Sequence, residues 1–319
     1  MSKAPIPILD DEAVWPLADM HGCIEIIRVC LRARVEGRLA APPRHTASFG
    51  NGDLVFTIGG MRASGDSHGV AGFRVYDTFR AGANPHTQIV AVWDSDCAKL
   101  QGLVLGEALG ALRTGALGGV AVDLMASRSA RIGGVLGTGL QARTQLMAML
   151  AVRPDIQQVR VYSRHPERRA AFAEQMSDSL DREVIAVERA RDAVEDADIL
   201  LTATRSTRPV LETAWLKAGV HINSVGPKLA RQHELPPAIG HLAGRVATDS
   251  PEQLRAYSDR HFLADTPAWE RMLDLADLQQ AAPAPRSPDT VSLFCSAGLA
   301  GTEVALAAEL LRRAAASGD

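Results

Sequence analysis

Residues 137–142 read Gly-Thr-Gly-Leu-Gln-Ala, a GxGxxA pattern between an apolar run, RIGGVLG, and an apolar-periodic one, QARTQLMAMLAV. That spacing suits a cradle for a diphosphate. Gly137 permits a tight turn, Gly139 lets backbone approach the pyrophosphate, and Ala142 keeps a following helix close to its strand. The first N–H groups of that helix face the phosphates, which makes Thr138, Leu140 and Gln141 candidate contacts as well. A glycine-rich turn without a ligand is the plain alternative; the strand before it and the helix after it argue for nucleotide binding. At the end of the next apolar segment, where a carboxylate would bond the ribose hydroxyls of NAD, the chain has Ser163, Arg164 and His165, with Arg168 and Arg169 one turn on. Hydroxyl and guanidinium donors welcome a ribose phosphate that an acidic residue would repel, so NADP is favoured, with NAD the alternative. Read without a ligand, the same stretch is a solvated basic helix start.

The remaining reactive residue types form no second constellation. His68, His86, His221 and His233 show neither metal-ligand spacing nor a paired nucleophile, and read as ordinary polar or loop histidines. Asp94 and Asp96 in VWDSD suit a turn that they cap, and Asp10, Asp11 and Glu12 a solvated terminus or helix start. Cys23, Cys30, Cys97 and Cys295 are scattered with no CxxC pair, so no metal site and no disulfide framework is expected, and a reducing cytoplasm fits. Cys295, in an apolar segment, reads as a small buried hydrophobe.

Hydrophobic periodicity supplies the scaffold. Ala13 to Arg38 has the spacing of one or two amphipathic helices, with Ile24, Ile27, Val29, Leu31 and Val35 among charged residues. From Pro42 to Val92 the segments LVFTI, GFRVYDTF and QIVAVW, separated by Gly, Asn and Pro, predict antiparallel strands, and Gly106 to Met125 returns to helical spacing. From about Ala130, short apolar strands alternate with amphipathic helices. Such alternation requires a parallel sheet with right-handed crossovers, a doubly wound Rossmann-type domain. The fold class is therefore α/β, with a mixed α+β region before the Rossmann domain. A linker-like APAPRSP at 282–288 precedes a last apolar run, VSLFCSAGLAGTEVALAAELLRR, whose helix packs back on one of the two.

A chain of 319 residues allows about two domains. With 46% hydrophobic and 22% charged residues it has globular composition, and a net charge of -3 offers no field for phosphate backbones or anionic lipid. Neither a nucleic-acid partner nor a membrane is expected. The amino terminus lacks a signal-peptide pattern, and no uninterrupted apolar run approaches about 18 residues.

Taken with the glycine loop, the segments PPR at 42–44, GFRVYDTF at 72–79, ALRTGA at 111–116, ADILLTAT at 197–204, WLKAGVHINSVG at 215–226, HELP at 233–236 and LFCSAGLAGTEVALA at 293–307 resemble the ornithine cyclodeaminase and mu-crystallin family. The resemblance implies NAD(P)-dependent chemistry at the C–N bond of amino acids or cyclic imines, and a homodimer. It also implies a substrate and dimerisation domain built from both chain ends, here 1–127 with 291–319, around a Rossmann domain at 128–290. Arg44 and Arg113 are implied to face the substrate, and a planar guanidinium suits a carboxylate held by two parallel bonds. Thr204, Val225 and Ser296 match places where the family contacts the dinucleotide.

Departures from the pattern select among reactions. Where the family usually has lysine, this chain has Arg74, which stays protonated and binds or polarises an anion without shuttling a proton. Where cyclodeaminases and related alanine dehydrogenases carry aspartate after the VG of this motif, Pro227 and Lys228 follow Gly226; Gln232 and Cys295 stand where lysines are common. Cations at 74 and 228 disfavour the distal ammonium of ornithine. The expectation is an oxidoreductase that reduces a small imino acid of the cyclic ketimine or pyrroline carboxylate type, or oxidises the matching amino acid, with Arg74 and Lys228 as catalytic candidates. A cyclodeaminase-type lyase and a catalytically inactive NADPH-binding protein are the alternatives.

Overall fold

A computed structural model describes residues 5–65, 68–79, 88–282 and 287–317; His86 and most of the 282–288 segment lie outside the described residues. The chain divides into a unit of residues 1–113 with 299–319 and a unit of residues 114–298.

The first unit opens with β1 (Ile8–Leu9), α1 (Asp11–Leu17) and α2 (Met20–Val35). Asp10 caps α1 through Ala13 N, and Asp19 caps α2 through His21 N and Gly22 N. Along α2, Cys23, Ile24, Ile27, Cys30 and Leu31 are buried at the spacing of one apolar face. β2 (Leu39–Ala40), β3 (His45–Ser48), β4 (Asp53–Met61), β5 (Val70–Asp77), β6 (Gln88–Asp94) and β7 (Lys99–Leu105) pair antiparallel and β1 joins β7 in parallel, in the order β1-β7-β6-β5-β4-β2 with β3 on β4. Asp94 and Asp96 cap the β6–β7 turn as expected: Asp94 Oδ1 accepts from Asp96 N and Cys97 N. α3 (Ala108–Met125) follows, its first turn held by Asp11, whose carboxylate accepts from Glu107 N and Ala108 N. α3 has the length and apolarity of a membrane span, but 89% of that stretch is buried inside the protein, which makes it an interior helix.

The second unit comprises β8 (Ile132–Leu136), α4 (Leu140–Val152), β9 (Gln158–Tyr162), α5 (Pro166–Leu180), β10 (Glu183–Ala186), α6 (Ala190–Val194), β11 (Ile199–Thr202) and β12 (His221–Ser224). A small hairpin of β13 (Lys228–Leu229) and β14 (Gln232–His233) comes next. It is followed by α7 (Ile239–Leu242), β15 (Arg245–Thr248), α8 (Pro251–Ala256), α9 (Pro267–Glu270), β16 (Leu273–Asp274), α10 (Leu275–Gln280) and β17 (Ser292–Cys295). Eight of these strands form one parallel sheet in the order β10-β9-β8-β11-β12-β17-β15-β16. The order reverses beside β8, the point at which a doubly wound sheet opens a crevice at its carboxyl edge. Val135, Val159, Ile199 and Leu201 pack with α4 and α5 residues on one face, and Leu136, Leu200, Ile222 and Leu293 form the core of the other.

The chain returns to the first unit through α11 (Thr302–Ser317). Strand register aligns Gly59, Gly72, Val92 and Gly102 across β4 to β7. A Cβ at Gly59 would stand 2.6 Å from Gly301 N and one at Gly102 2.6 Å from Leu311 Cδ2, so small residues are what let α11 lie on this face.

The observed division departs from the expected 1–127 with 291–319 and 128–290. Residues 114–127 belong with the parallel-sheet unit. β17, expected among the chain-end elements, is paired between β12 and β15; its four consecutive buried residues are the signature of a central parallel strand, covered on both faces.

Candidate functional site

Two clusters carry chemistry, one in each unit. In the first unit, strand alternation puts Arg74 and Tyr76 on the α11 side of β5, Gln88 opens β6 opposite Tyr76, Arg44 precedes β3, Arg113 lies on α3, and Glu303 stands in the first turn of α11. Glu303 Oε1 accepts from Arg113 Nη2 at 2.7 Å and Arg74 Nη1 at 3.3 Å. Arg74 also donates from Nε and Nη2 to Gln88 Oε1, at 3.2 and 2.5 Å, and lies 4.6 Å from the centroid of the Tyr76 ring. Arg44 Nη1 donates to Tyr76 Oη at 3.1 Å. The structure thus joins the three arginines singled out in the sequence through two residues, Tyr76 and Glu303, that sequence reasoning passed over. The signal for Glu303 was present: an acidic residue in the otherwise apolar SAGLAGTEVALA.

The electrostatics follow from burial. Burial pushes the Glu303 carboxyl up, but Arg113 and Arg74, with its own backbone N–H and Arg44, outweigh that and hold it below the ordinary carboxylate range. Burial, with Arg113 beside it, lowers the Arg74 guanidinium from its usual value, and Glu303 opposes the shift. Among the described residues, three guanidiniums face the one Glu303 carboxylate in a cationic cluster. Arg113 Nε is buried and has no hydrogen-bond partner among the described residues. Such a donor calls for an acceptor, and an anion satisfies both the charge and the hydrogen bond.

In the second unit every residue predicted to contact the dinucleotide lies at the carboxyl edge of the parallel sheet. Gly137 ends β8 at φ 117°, where a Cβ would lie 2.3 Å from Ala203 O. Gly139 is the N-cap of α4 and supplies no side-chain cap; a Cβ there would meet nothing within 4 Å. The α4 N-terminus therefore presents backbone N–H groups over an open glycine, which is what a diphosphate requires. Gln141 beside it has a buried Oε1 with no partner among the described residues. Thr138 and Leu140 are half-buried in the same loop. After β9, Ser163 is half-buried, Arg164 and Arg168 are exposed, and Arg169 donates to Ser163 O at 3.2 Å. No carboxylate occupies 162–165. These residues fit a nicotinamide dinucleotide.

Glu234, another acid missed at first, organises the adjoining strand ends. Fully buried, its Oε1 accepts from Thr202 Oγ1, Ser224 Oγ and Gly226 N at 2.8, 3.0 and 2.7 Å, and its Oε2 from Thr204 N and Oγ1 at 2.9 and 2.8 Å. Thr204 and Val225 are fixed thereby, since Val225 N also bonds Thr202 O at 2.9 Å. Ser296 N bonds Ser224 O, and Asp249 receives the next two N–H groups, of Ala297 and Gly298. Lys228 is buried, with Nζ donating to Val225 O at 3.2 Å and Gly226 O at 2.6 Å, so its ammonium anchors this turn. Among the histidines, His221 is buried between Ser292 Oγ and Asn223 Oδ1, His233 bonds Leu235 O, and His68 is exposed beside Asp94 and Asp96. Cys295 is fully buried, and burial pushes its thiol up to about 12.

Comparison with known proteins sets these clusters in context. The family model described as Ornithine cyclodeaminase/mu-crystallin family matches residues 8–318. A Delta(1)-pyrroline-2-carboxylate reductase of Bacillus cereus is 30% identical over 312 residues, spanning 95% of this chain and 94% of the relative. The structure of Thermococcus litoralis Delta(1)-pyrroline-2-carboxylate reductase, in complex with NADH and L-proline, superposes with a TM-score of 0.88 at 26% identity, covering 98% of each chain. A lysine cyclodeaminase, studied for recognition of L-lysine, L-ornithine and L-2,4-diamino butyric acid, gives a TM-score of 0.82 at 29% identity over 99% of this chain and 94% of its own.

Proposed function

The chain belongs to the ornithine cyclodeaminase/mu-crystallin family, and on that premise we propose that it is a nicotinamide-dependent oxidoreductase that reduces a small imino acid of the pyrroline carboxylate type. The observation that carries this reading is the cationic cluster of Arg44, Arg74 and Arg113 around the carboxylate of Glu303, with the buried Arg113 Nε left without a hydrogen-bond partner among the described residues. It is built for an organic acid. When bound, a reduced nicotinamide supplies the hydride. Gly137 to Gln141 would hold its diphosphate, Thr204, Val225 and Ser296 would contact the dinucleotide at the neighbouring strand ends, and Ser163, Arg164 and Arg168 would receive a ribose phosphate, which favours NADP over NAD.

The chain's own residues do the rest. Arg44 and Arg113 orient the substrate carboxylate, fixing the adjacent C=N carbon in place. Arg74, with Gln88 and Glu303 on three of its nitrogens, is a restrained cation that favours an anionic substrate without giving up a proton. Lys228 steadies the turn after β12 through two carbonyls. A cyclodeaminase also needs an anion for the distal ammonium, and a lysine holds the place where the family's aspartate would supply it.

A second copy of this chain is the partner. The sheet face opposite α11 carries Ile8, Phe56, Ile58, Phe73, Ile89 and Trp93, with Ile58 60% and Ile8 58% exposed. An exposed apolar sheet face of this kind is suited to burial against a second copy of itself. A reducing cytoplasm suits its four free cysteines. The experiment that tests the proposal is NADPH-dependent reduction of Delta(1)-pyrroline-2-carboxylate by the purified protein.

A further inference from the structure

Reducing a C=N bond takes a hydride at carbon and a proton at nitrogen, and the cationic cluster holds few groups able to give that proton. Arg44, Arg74 and Arg113 keep theirs in the working range of pH. Glu303 is held ionised by Arg113 and Arg74. Glu107, at the exposed edge, is reached only by Gln88 Nε2 at 3.5 Å among the described residues. Tyr76 is different. Its oxygen accepts from Arg44 Nη1 at 3.1 Å, the Arg74 guanidinium lies over its ring at 4.6 Å, and it donates its own proton to no described residue. One lone pair is thus spent on a cation while the O–H remains for a ligand.

We propose that Tyr76 is the proton donor of the reaction, delivering its hydroxyl proton to the imine nitrogen of a substrate whose carboxylate is gripped by Arg44 and Arg113. The step rests on the reductase reading. The imine carbon would receive one hydride, the two-electron equivalent that a bound reduced nicotinamide would supply as it is oxidised; the C=N π bond breaks, its electron pair goes to the nitrogen, and the nitrogen takes the Tyr76 proton, so that the imine becomes an amine. The tyrosinate left behind faces Arg44 and Arg74 and regains a proton from water.

Tyr76→Phe tests this, because the ring, and with it the contact to Arg74, is kept while the hydroxyl is lost. With NADPH and Delta(1)-pyrroline-2-carboxylate, kcat falls about 100-fold or more, the range of general acid catalysis. KM and the affinity for pyrrole-2-carboxylate, a planar acid with no reducible C=N bond, change less than about threefold, well short of the roughly 10- to 100-fold that a hydrogen bond to a charged group is worth. The basic limb of kcat against pH, present in the unaltered protein at one position for imines of different basicity, disappears in the variant. Equal turnover in both proteins, a variant that changes KM alone, or a basic limb that moves with the basicity of the imine overturns the assignment while leaving the reductase reading intact. Absence of imine reduction in the unaltered protein overturns both.

Discussion

The Arg113 guanidinium and the Glu303 carboxylate meet at 2.7 Å with 6% and 3% of their side chains exposed. One carboxylate oxygen serves this arginine and Arg74 together. Glu303 is therefore the counter-charge that allows a cationic cluster to be buried at all. Glu303→Gln keeps the shape and removes the charge. Losing one partner of a buried ion pair costs about 3–5 kcal/mol, so the urea midpoint of Glu303→Gln falls well below that of the parent. A midpoint within error of the parent contradicts the role given to Glu303.

The glycine loop gives a cleaner separation of folding from binding. A Cβ at Gly139 meets nothing within 4 Å, so Gly139→Asp leaves the melting temperature of the free protein nearly unchanged. Its carboxylate repels a diphosphate at the α4 N-terminus, and NADPH affinity measured by calorimetry falls at least about tenfold, or 1.4 kcal/mol. In Arg164→Glu the loss is confined to NADPH and spares NADH.

Self-association through the open sheet face is checked by light scattering. The parent runs as a dimer, and Ile58→Lys, which puts a charge at a position 60% exposed in the single chain, shifts it toward monomer. A parent that is monomeric at micromolar concentration contradicts the dimer.

Stability falls with acid for a specific reason. Burial, helped by Lys228, lowers the His261 imidazole from 6.5 to about 3. Between those values the unfolded chain binds a proton that the folded chain refuses, so stability is full above about pH 6.5 and declines as pH falls toward 3. Glu303, held below the ordinary carboxylate range, adds a loss of the same sign at the acid end. Urea midpoints at about pH 7.5 and 5 show this slope, and His261→Phe, which keeps a ring against Trp269, flattens it.

How much was legible beforehand follows from the range of each interaction. The parallel sheet, its glycine loop and the basic residues after β9 rest on local periodicity and on one turn, and the sequence shows them directly. Arg44, Arg74 and Arg113 stood out only because whole segments resembled a family, since nothing local distinguishes a ligand-binding arginine from a surface one. Glu303 stood out as an acid in an apolar run, but its role and that of Glu234 were not legible because their partners come from distant strands and helices, and β17 was misplaced because a short buried strand carries no mark of the sheet it joins.

The most direct measurement is the absorbance of NADPH mixed with Delta(1)-pyrroline-2-carboxylate and the purified protein. Saturable consumption of the coenzyme is predicted, with kcat/KM reduced about 10- to 100-fold by Arg113→Met, the worth of hydrogen bonds to a charged group. No consumption with any imino or keto acid, together with ammonia released from ornithine without net change in coenzyme, would contradict the reductase and establish a cyclodeaminase in its place.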